Sequence, residues 1–300
     1  MTRSEMIAWL RETDPDRLSE LFGMADRVRH ESVGDEIHLR GLLEISSHCV
    51  RRCAYCGISA ENRGARRFRM TAGEILAAAR EARGFGYGTI VMQGGEDYGI
   101  KADWMADIVR AIKNEIGVAV TLSLGERKEE ELRLWRQAGA DRYLLRFETS
   151  DPALYSLIHP ALPGGFLDRI SQIRRLQDIG YEAGSGVMVG IPGQSWDSLS
   201  NDILTFADLD LDMIGVGPYI PHPDTPMGRF LLCGEGEVRF PTLTPDLQVP
   251  ADAATAFKVI ALTRITCPDS NIPSTTAIAT LSRQAGRRQG LMCGANVVMP

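Results

Sequence analysis

Eight short β-rich apolar runs, capped helical stretches between most of them, and a length of 300 residues predict a single-domain α/β fold: a (β/α)8 barrel of the TIM type. Strands that are apolar almost throughout belong to parallel sheets covered on both faces. A barrel of this kind fills roughly 250 residues as one unit. An open, doubly wound sheet is the other arrangement compatible with the pattern.

A helical pattern over about residues 4–28 precedes any strand, so residues 1–36 are expected as an N-terminal helical extension and 37–300 as the barrel. The strand runs follow at 37–46, 89–94, 119–124, 142–148, 182–191, 212–220, 272–280 and 295–299. Between strands one and two, Thr71-Ala-Gly-Glu74 has the form of a capping box, with Ile75, Leu76, Ala79 and Ala82 at helical spacing and Gly84 and Gly86 as stops. Leu132 and Trp135 share a face in a helix over 129–138 that Gly139 ends. A helix over 167–179 carries Ile170, Ile173 and Leu176 and stops at Gly180, and Ser195 caps one running through Leu199, Ile203 and Phe206. A long irregular stretch, 221–250, is punctuated by Pro221, Pro223, Pro226, Pro241, Pro245 and Pro250; loops of that length after a strand are usually functional.

Composition narrows the function. With 44% apolar and 24% charged residues the chain is an ordinary globular one, not a disordered or collagen-like one. A net charge of −6 argues against a phosphate-backbone binder, so no nucleic acid is expected. No apolar run approaches the ~20 residues that cross a bilayer, and the first twelve residues lack a secretory apolar core, so neither membrane nor export is expected and the chain reads as cytoplasmic. Six cysteines in a reducing compartment are not expected to form structural disulfides.

Three of those cysteines, Cys49, Cys53 and Cys56, lie in the segment S-H-C-V-R-R-C-A-Y-C-G-I as C-x3-C-x2-C. Chance would produce that spacing about 0.002 times in a chain of this composition. Packing thiols are one reading, although Arg51 and Arg52 between them argue against burial. Structural zinc is a second, with His48 as fourth ligand, but no second ligand pair is present elsewhere. The third is an iron–sulfur cluster held by three thiolates, with one iron left open to a non-protein ligand. The loop begins at the carboxyl end of the first strand, where barrels of this type place their chemistry.

In that position the motif resembles the radical S-adenosylmethionine (SAM) superfamily. The resemblance implies a [4Fe–4S] cluster on Cys49, Cys53 and Cys56 that chelates SAM and splits it to a 5′-deoxyadenosyl radical. It gives Tyr55 a place beside adenine and gives Gln93-Gly94-Gly95-Glu96, at the end of strand two, the SAM amino group. Arg146 and Glu148, two apart and so on one face of strand four, read either as a structural ion pair or as ligands, with Glu148 on the ribose hydroxyls and Arg146 on a carboxylate or the substrate. Arg169, at the start of a helix, is a candidate for the SAM carboxylate or a plain surface charge. His222 follows strand six as a loop residue or a substrate contact, and Thr275 and Thr276 are expected on strand seven. His30, His38 and His159 read as structural, and Gly184-Ser-Gly is too irregularly spaced for a dinucleotide fingerprint.

Along nearly the whole chain, segments such as VTLSLGE, GPYIPHPDTP and CGANVVMP resemble the HydE family of [FeFe]-hydrogenase maturases, relatives of biotin synthase and of the methylornithine synthase PylB. Strands three to five hold none of the cysteines that sulfur insertion of the biotin synthase type would use. The HydE resemblance implies a small organometallic substrate, an iron carbonyl–cyanide precursor bound to cysteine, and Thr121, Ser123, Thr275 and Thr276 as polar positions inside the barrel. It also implies a low-potential donor of the ferredoxin or flavodoxin type, and HydG and HydF as partners. A lysine-mutating enzyme like PylB and a SAM- or cluster-binding scaffold without turnover are the alternatives. Cys233, Cys267 and Cys293 receive no task, and Cys293 alone cannot build the second cluster some relatives carry. Family members continue past the position of Pro300, so a final covering helix is apparently missing and strand eight is expected to have a thinly covered outer face. Metal analysis of anaerobically reconstituted protein should find iron; zinc in its place would remove the cluster reading.

Overall fold

A computed structural model describes residues 1–162, 168–234, 238–282 and 285–299. Eight strands form one parallel sheet in the order β6-β5-β4-β3-β2-β1-β8-β7: β1 (His38–Ser46), β2 (Thr89–Gly94), β3 (Ala119–Ser123), β4 (Arg142–Leu144), β5 (Glu182–Val189), β6 (Met213–Pro218), β7 (Pro273–Ser274) and β8 (Val297–Val298). The ends of that order meet through a bridge between Met213 and Asn271, with Ile214 N donating to Asn271 O at 2.9 Å, so the barrel closes at a seam much thinner than its other ladders.

The expected strand positions hold, and three lengths need correction, strand eight being Val297–Val298 alone. Strand four pairs only over Arg142–Leu144; beyond it Ser185 Oγ donates to Leu145 O, and the chain rejoins β5 at one bridge, Glu148 to Val187. Strand seven is two residues long, because Thr276–Leu281 is a helix (α11), so Thr275 and Thr276 lie at a helix start rather than on a strand. The single N-terminal pattern is two helices, α1 (Arg3–Arg11) and α2 (Pro15–Val33). Pro15 opens α2 at its first position, where a missing N–H is harmless, and Asp14 caps it. The stretch 221–250 is not wholly irregular: α9 (Pro226–Cys233) lies inside it.

The remaining helices are α3 (Ala72–Gly84), α4 (Ala102–Ala111, continuing as a π turn over Ile112–Ile116), α5 (Glu129–Gln137), α6 (Pro152–Ile158), α7 (Arg169–Ile179), α8 (Trp196–Asp208), α10 (Ala253–Thr266) and α12 (Gly286–Met292). The expected capping boxes and glycine stops are in place: Thr71 caps α3 with Glu74 bonding back, and Gly180 ends α7 at φ +96°. Asp168 caps α7; Leu167, the start expected for this helix, and Pro300 lie outside the described residues.

One core lies between the outer strand faces and the helices, with Ile45, Ile90, Met92, Val120, Leu122 and Tyr143 from the sheet against Ile75, Val109, Trp135 and Ile173. Met6, Leu10, Leu21 and Ala25 of α1 and α2 join that core, and Lys258 Nζ on α10 donates to Leu10 O at 2.5 Å. Beside β8 the outward Leu39 is 43% exposed. The opposite strand face lines the lumen: Arg40 on β1 reaches Met213 Sδ on β6 at 3.0 Å, across two intervening strands. By register Gln93, Thr121, Ser123 and Arg142 share that face. No described helix is long and apolar enough to cross a membrane.

Where β5 and β6 run closest, only glycine fits. A Cβ on Gly186 would sit 2.1 Å from Gly215 O. Gly186→Ala is therefore expected to cost about 2 kcal/mol or more in urea denaturation, because a ladder carbonyl has to move. Gly73→Ala, in the first turn of α3 with no atom within 4 Å of the new methyl, is expected to gain about 0.5 kcal/mol.

Candidate active site

The three cysteines sit where the sequence puts them, in the loop between β1 and α3, and all six cysteines are free thiols. The loop is pinned from several sides. Val50 N donates to Glu96 O, Ala54 N to Ile158 O of α6, and Met227 N of α9 to Ala54 O. Inside the loop the Arg67 guanidinium donates to the carbonyls of Ser47, Ile58, Ser59 and Asn62, closing the chain on itself.

Gly95 explains why β2 ends in glycines. Its N–H donates to Ser46 O, and a Cβ there would lie 2.2 Å from His48 O and 2.8 Å from the Cβ of Cys49. Only a bare backbone lets the β2 end lie against the cysteine loop.

Arg51 is buried, contrary to the expectation that Arg51 and Arg52 keep the loop at the surface; only Arg52 is exposed. Arg51 Nε donates to Glu96 Oε1 at 2.8 Å, and its other arm pairs with Glu126. Arg169, the first residue of α7, donates to Glu126 Oε1 at 3.1 Å and to His159 Nε2 at 2.7 Å. Two arginines and two carboxylates, all under 10% exposed, thus form a neutral buried network joining the loops after β1, β2 and β3 to α6 and α7. Burial works against the Arg51 charge, yet Glu96 and Glu126 outweigh it and raise its pKa. Burial, with Arg169 and Arg51 nearby, pushes His159 down to about 2, so its ring is neutral. Nε2 must accept from Arg169, which leaves the proton on Nδ1, facing Tyr155 Oη at 3.0 Å.

The network changes the place of two expected ligands. Arg169 is a buried pair member, not a surface charge. The Glu96 carboxylate already accepts from Arg51, from Tyr98 Oη at 3.0 Å and from Glu126 N at 3.0 Å. Sequence reasoning misplaced Arg51 at the surface, read His159 as structural without a partner, and passed over Glu126, which stands in the VTLSLGE segment, where a charge ending an apolar strand run was the available signal.

Glu148 is strained. Its φ is +62°, and Thr149 N donates back to Phe147 O at 2.7 Å, a γ-turn centred on a glutamate. Tyr55 Oη donates to Glu148 Oε1 at 3.4 Å, and Arg146 Nη2 lies 3.1 Å from Oε2. Buried Glu148 Oε2 and Arg146 Nε nevertheless have no hydrogen-bond partner. Thr121 on the lumen face also holds a buried, unpartnered hydroxyl, whereas Thr275 spends its own on Val216 O. Gln93 and Ser123 are half-buried on that face, and Thr276 is exposed. His222 packs against the cysteine loop, its ring 3.0 Å from where a Cβ of Gly57 would be.

Burial raises the Cys53 thiol to about 12, with Cys56 and Cys49 nearby adding to it, and burial likewise raises Cys56. Such thiols become good ligands only when a metal displaces their protons. Three thiols in one glycine-backed loop, beside orphaned polar atoms of Glu148 and Arg146, fit an iron–sulfur cluster with a polar ligand at its open position. Cys267 and Cys293 are buried, raised to about 12 by burial, and cap the C-termini of α10 and α12; Cys233 is exposed at the end of α9.

Residues 43–205 match the family model described as the radical SAM superfamily. The chain is 45% identical over 280 residues to the [FeFe] hydrogenase maturase subunit HydE of Thermotoga maritima, covering 93% of this chain and 74% of the relative. It is 25% identical to a 3-methylornithine synthase of Methanosarcina acetivorans, over 99% of this chain and 79% of that one. Among solved structures, that of methylornithine synthase (PylB) superposes with a TM-score of 0.83 at 23% identity, over 99% of this chain and 82% of that chain, a likeness of fold.

What holds the Glu148 turn is Asp202 on α8. It is fully buried and accepts from Ser150 N, Ser150 Oγ, Thr149 Oγ1 and Gln194 Nε2 at 2.6–3.2 Å. Burial pushes this carboxyl up to about 7 against those hydrogen bonds. Asp202→Ala is expected to cost about 2–4 kcal/mol by chemical denaturation, since buried donors lose their acceptor. A folded-state pKa above the unfolded one means the Asp202 contribution is complete below about pH 4 and erodes as pH rises toward 7. The penalty should shrink over that window; a penalty that grows with pH would contradict the assignment.

Proposed function

The chain belongs to the radical SAM superfamily and, within it, to the HydE family, and from that premise we propose that it cleaves SAM reductively during assembly of the diiron subcluster of [FeFe]-hydrogenase. The observation that carries the proposal is the loop of Cys49, Cys53 and Cys56 backed by Gly95 and facing the strained Glu148. Cys49, Cys53 and Cys56 would hold a [4Fe–4S] cluster, with SAM bound at it. With both groups bound, one electron splits the sulfonium into methionine and a 5′-deoxyadenosyl radical.

The protein's own part is positioning. Glu148 and Tyr55 hold the ribose and adenine side, Glu148 Oε2, ion-paired with Arg146 but accepting no hydrogen bond, being the acceptor open to a hydroxyl. With the Glu96 carboxylate engaged by Arg51 and Tyr98, the SAM ammonium falls to the chain of Gln93, Gly94 and Gly95. Arg169 and Arg146 supply positive charge for the SAM carboxylate or the substrate. Thr121, Ser123, Thr275, Thr276 and His222 would line the way to a small organometallic substrate, an iron carbonyl–cyanide unit bound through cysteine. HydG as supplier, HydF as scaffold and a low-potential ferredoxin or flavodoxin are the partners this role calls for. A reducing, cytoplasmic setting suits six free thiols.

Anaerobic reconstitution, dithionite reduction and chromatography should yield 5′-deoxyadenosine, and Cys56→Ala should abolish it. No product above that control would sink the enzymatic reading in favour of a SAM-binding scaffold. Methylornithine formed from lysine would move the chain to the PylB reaction.

A further inference from the structure

The loop that carries the cysteines is also the most basic part of the chain. Residues 50–70 hold six arginines, Arg51, Arg52, Arg63, Arg66, Arg67 and Arg69, against one acid, Glu61, a net +5. The total being −6, the rest of the molecule carries −11. Three of the six have structural tasks: Arg51 in the buried network, Arg67 on four loop carbonyls, and Arg69 on Asp97 at 2.7 Å. Arg52, Arg63 and Arg66 are exposed, and their guanidinium groups have no partner among the described residues. They sit on one compact unit, because Ala60 N bonds Arg51 O, Asn62 Nδ2 bonds Gly57 O and Ser47 Oγ bonds Arg66 O. Exposed apolar side chains lie among them, Val50 at 37% and Phe68 at 41%. Arginine around an aromatic or aliphatic centre is the composition of protein docking surfaces.

Resting on the radical SAM reading above, we infer that the exposed face of this loop, built on Arg52, Arg63, Arg66, Val50 and Phe68, is the docking site of an acidic one-electron carrier protein. The charge distribution selects the partner. An acidic protein is repelled by a molecule of net charge −6 and attracted by this face, where Arg52, Arg63 and Arg66 stand unpaired against Glu61, and with a Debye length of about 8 Å at physiological salt the local charge decides the encounter. The cysteines lie on the same loop, between β1 and α3. The reduced carrier loses one electron and the cluster gains it; no proton or atom is transferred.

The test uses holoprotein and a reduced flavodoxin. Arg52→Glu/Arg63→Glu/Arg66→Glu is expected to weaken flavodoxin binding in calorimetry at least tenfold at low salt and to cut flavodoxin-driven 5′-deoxyadenosine formation at least tenfold. Iron content and the dithionite-driven rate, which needs no docking, should stay at the wild-type level. The corresponding Gln variant should fall between the two, and wild-type binding should weaken as salt is raised. As a control for net charge, Arg83→Glu/Arg110→Glu, on the last turns of α3 and α4, should leave binding unchanged. Unaltered binding in the triple variant, or equal loss in the control, overturns the docking site. Absence of product with dithionite in the wild type overturns instead the reading on which it rests.

Discussion

A charge-neutral cluster of four side chains, buried at the top of the barrel, governs the geometry of everything around it. Arg51, Glu96, Glu126 and Arg169 come from four different connections, and each would be costly alone. Losing one partner of such a set leaves an unpaired buried charge, on the order of 3–5 kcal/mol. The loops after the first three strands are therefore not independent: the cysteine loop, the glycine pair and the α7 N-terminus form together or not at all. His159 extends the arrangement as a neutral acceptor, fixing the Arg169 fork with a tautomer that the arginine itself imposes.

A barrel suits this device because its strands end at one rim, and their lengths decide what rises above it. β1 and β2 are long and deliver Ser46 and Gly94 side by side. β4 stops after three residues, which frees 145–149 to turn inward and present Glu148. β7 gives way at once to α11, so Thr275 and Thr276 belong to a helix start. The lumen below is polar, with Arg40 and the Arg142–Glu182 pair, while the apolar face points outward to the helices.

Much of this was readable in the sequence, for identifiable reasons. Strand positions follow from apolar runs, helix ends from Thr71, Gly139 and Gly180, and the cysteine loop from a spacing too regular for accident. What escaped were lengths and pairings. Arg142 to Glu148 alternates like one strand, but beyond Leu144 a γ-turn and a side-chain bond from Ser185 interrupt the ladder, leaving scattered backbone bonds such as Leu145 N to Gly184 O. Arg51 looked like a surface residue because its two acids lie 45 and 75 positions away in sequence, a coincidence only the closed barrel creates. His159 and Asp202 are silent in sequence for the same reason: their partners are assembled by folding.

The strained turn at Glu148 sets stability and purpose in opposition at a single position. A non-glycine residue at φ +62° costs about 1–3 kcal/mol, which glycine would return. Any change toward greater thermal robustness thus has a downhill step available at the residue that receives Tyr55 of the cysteine loop. A glutamate there holds its carboxylate between Tyr55 and Arg146 at a cost in stability.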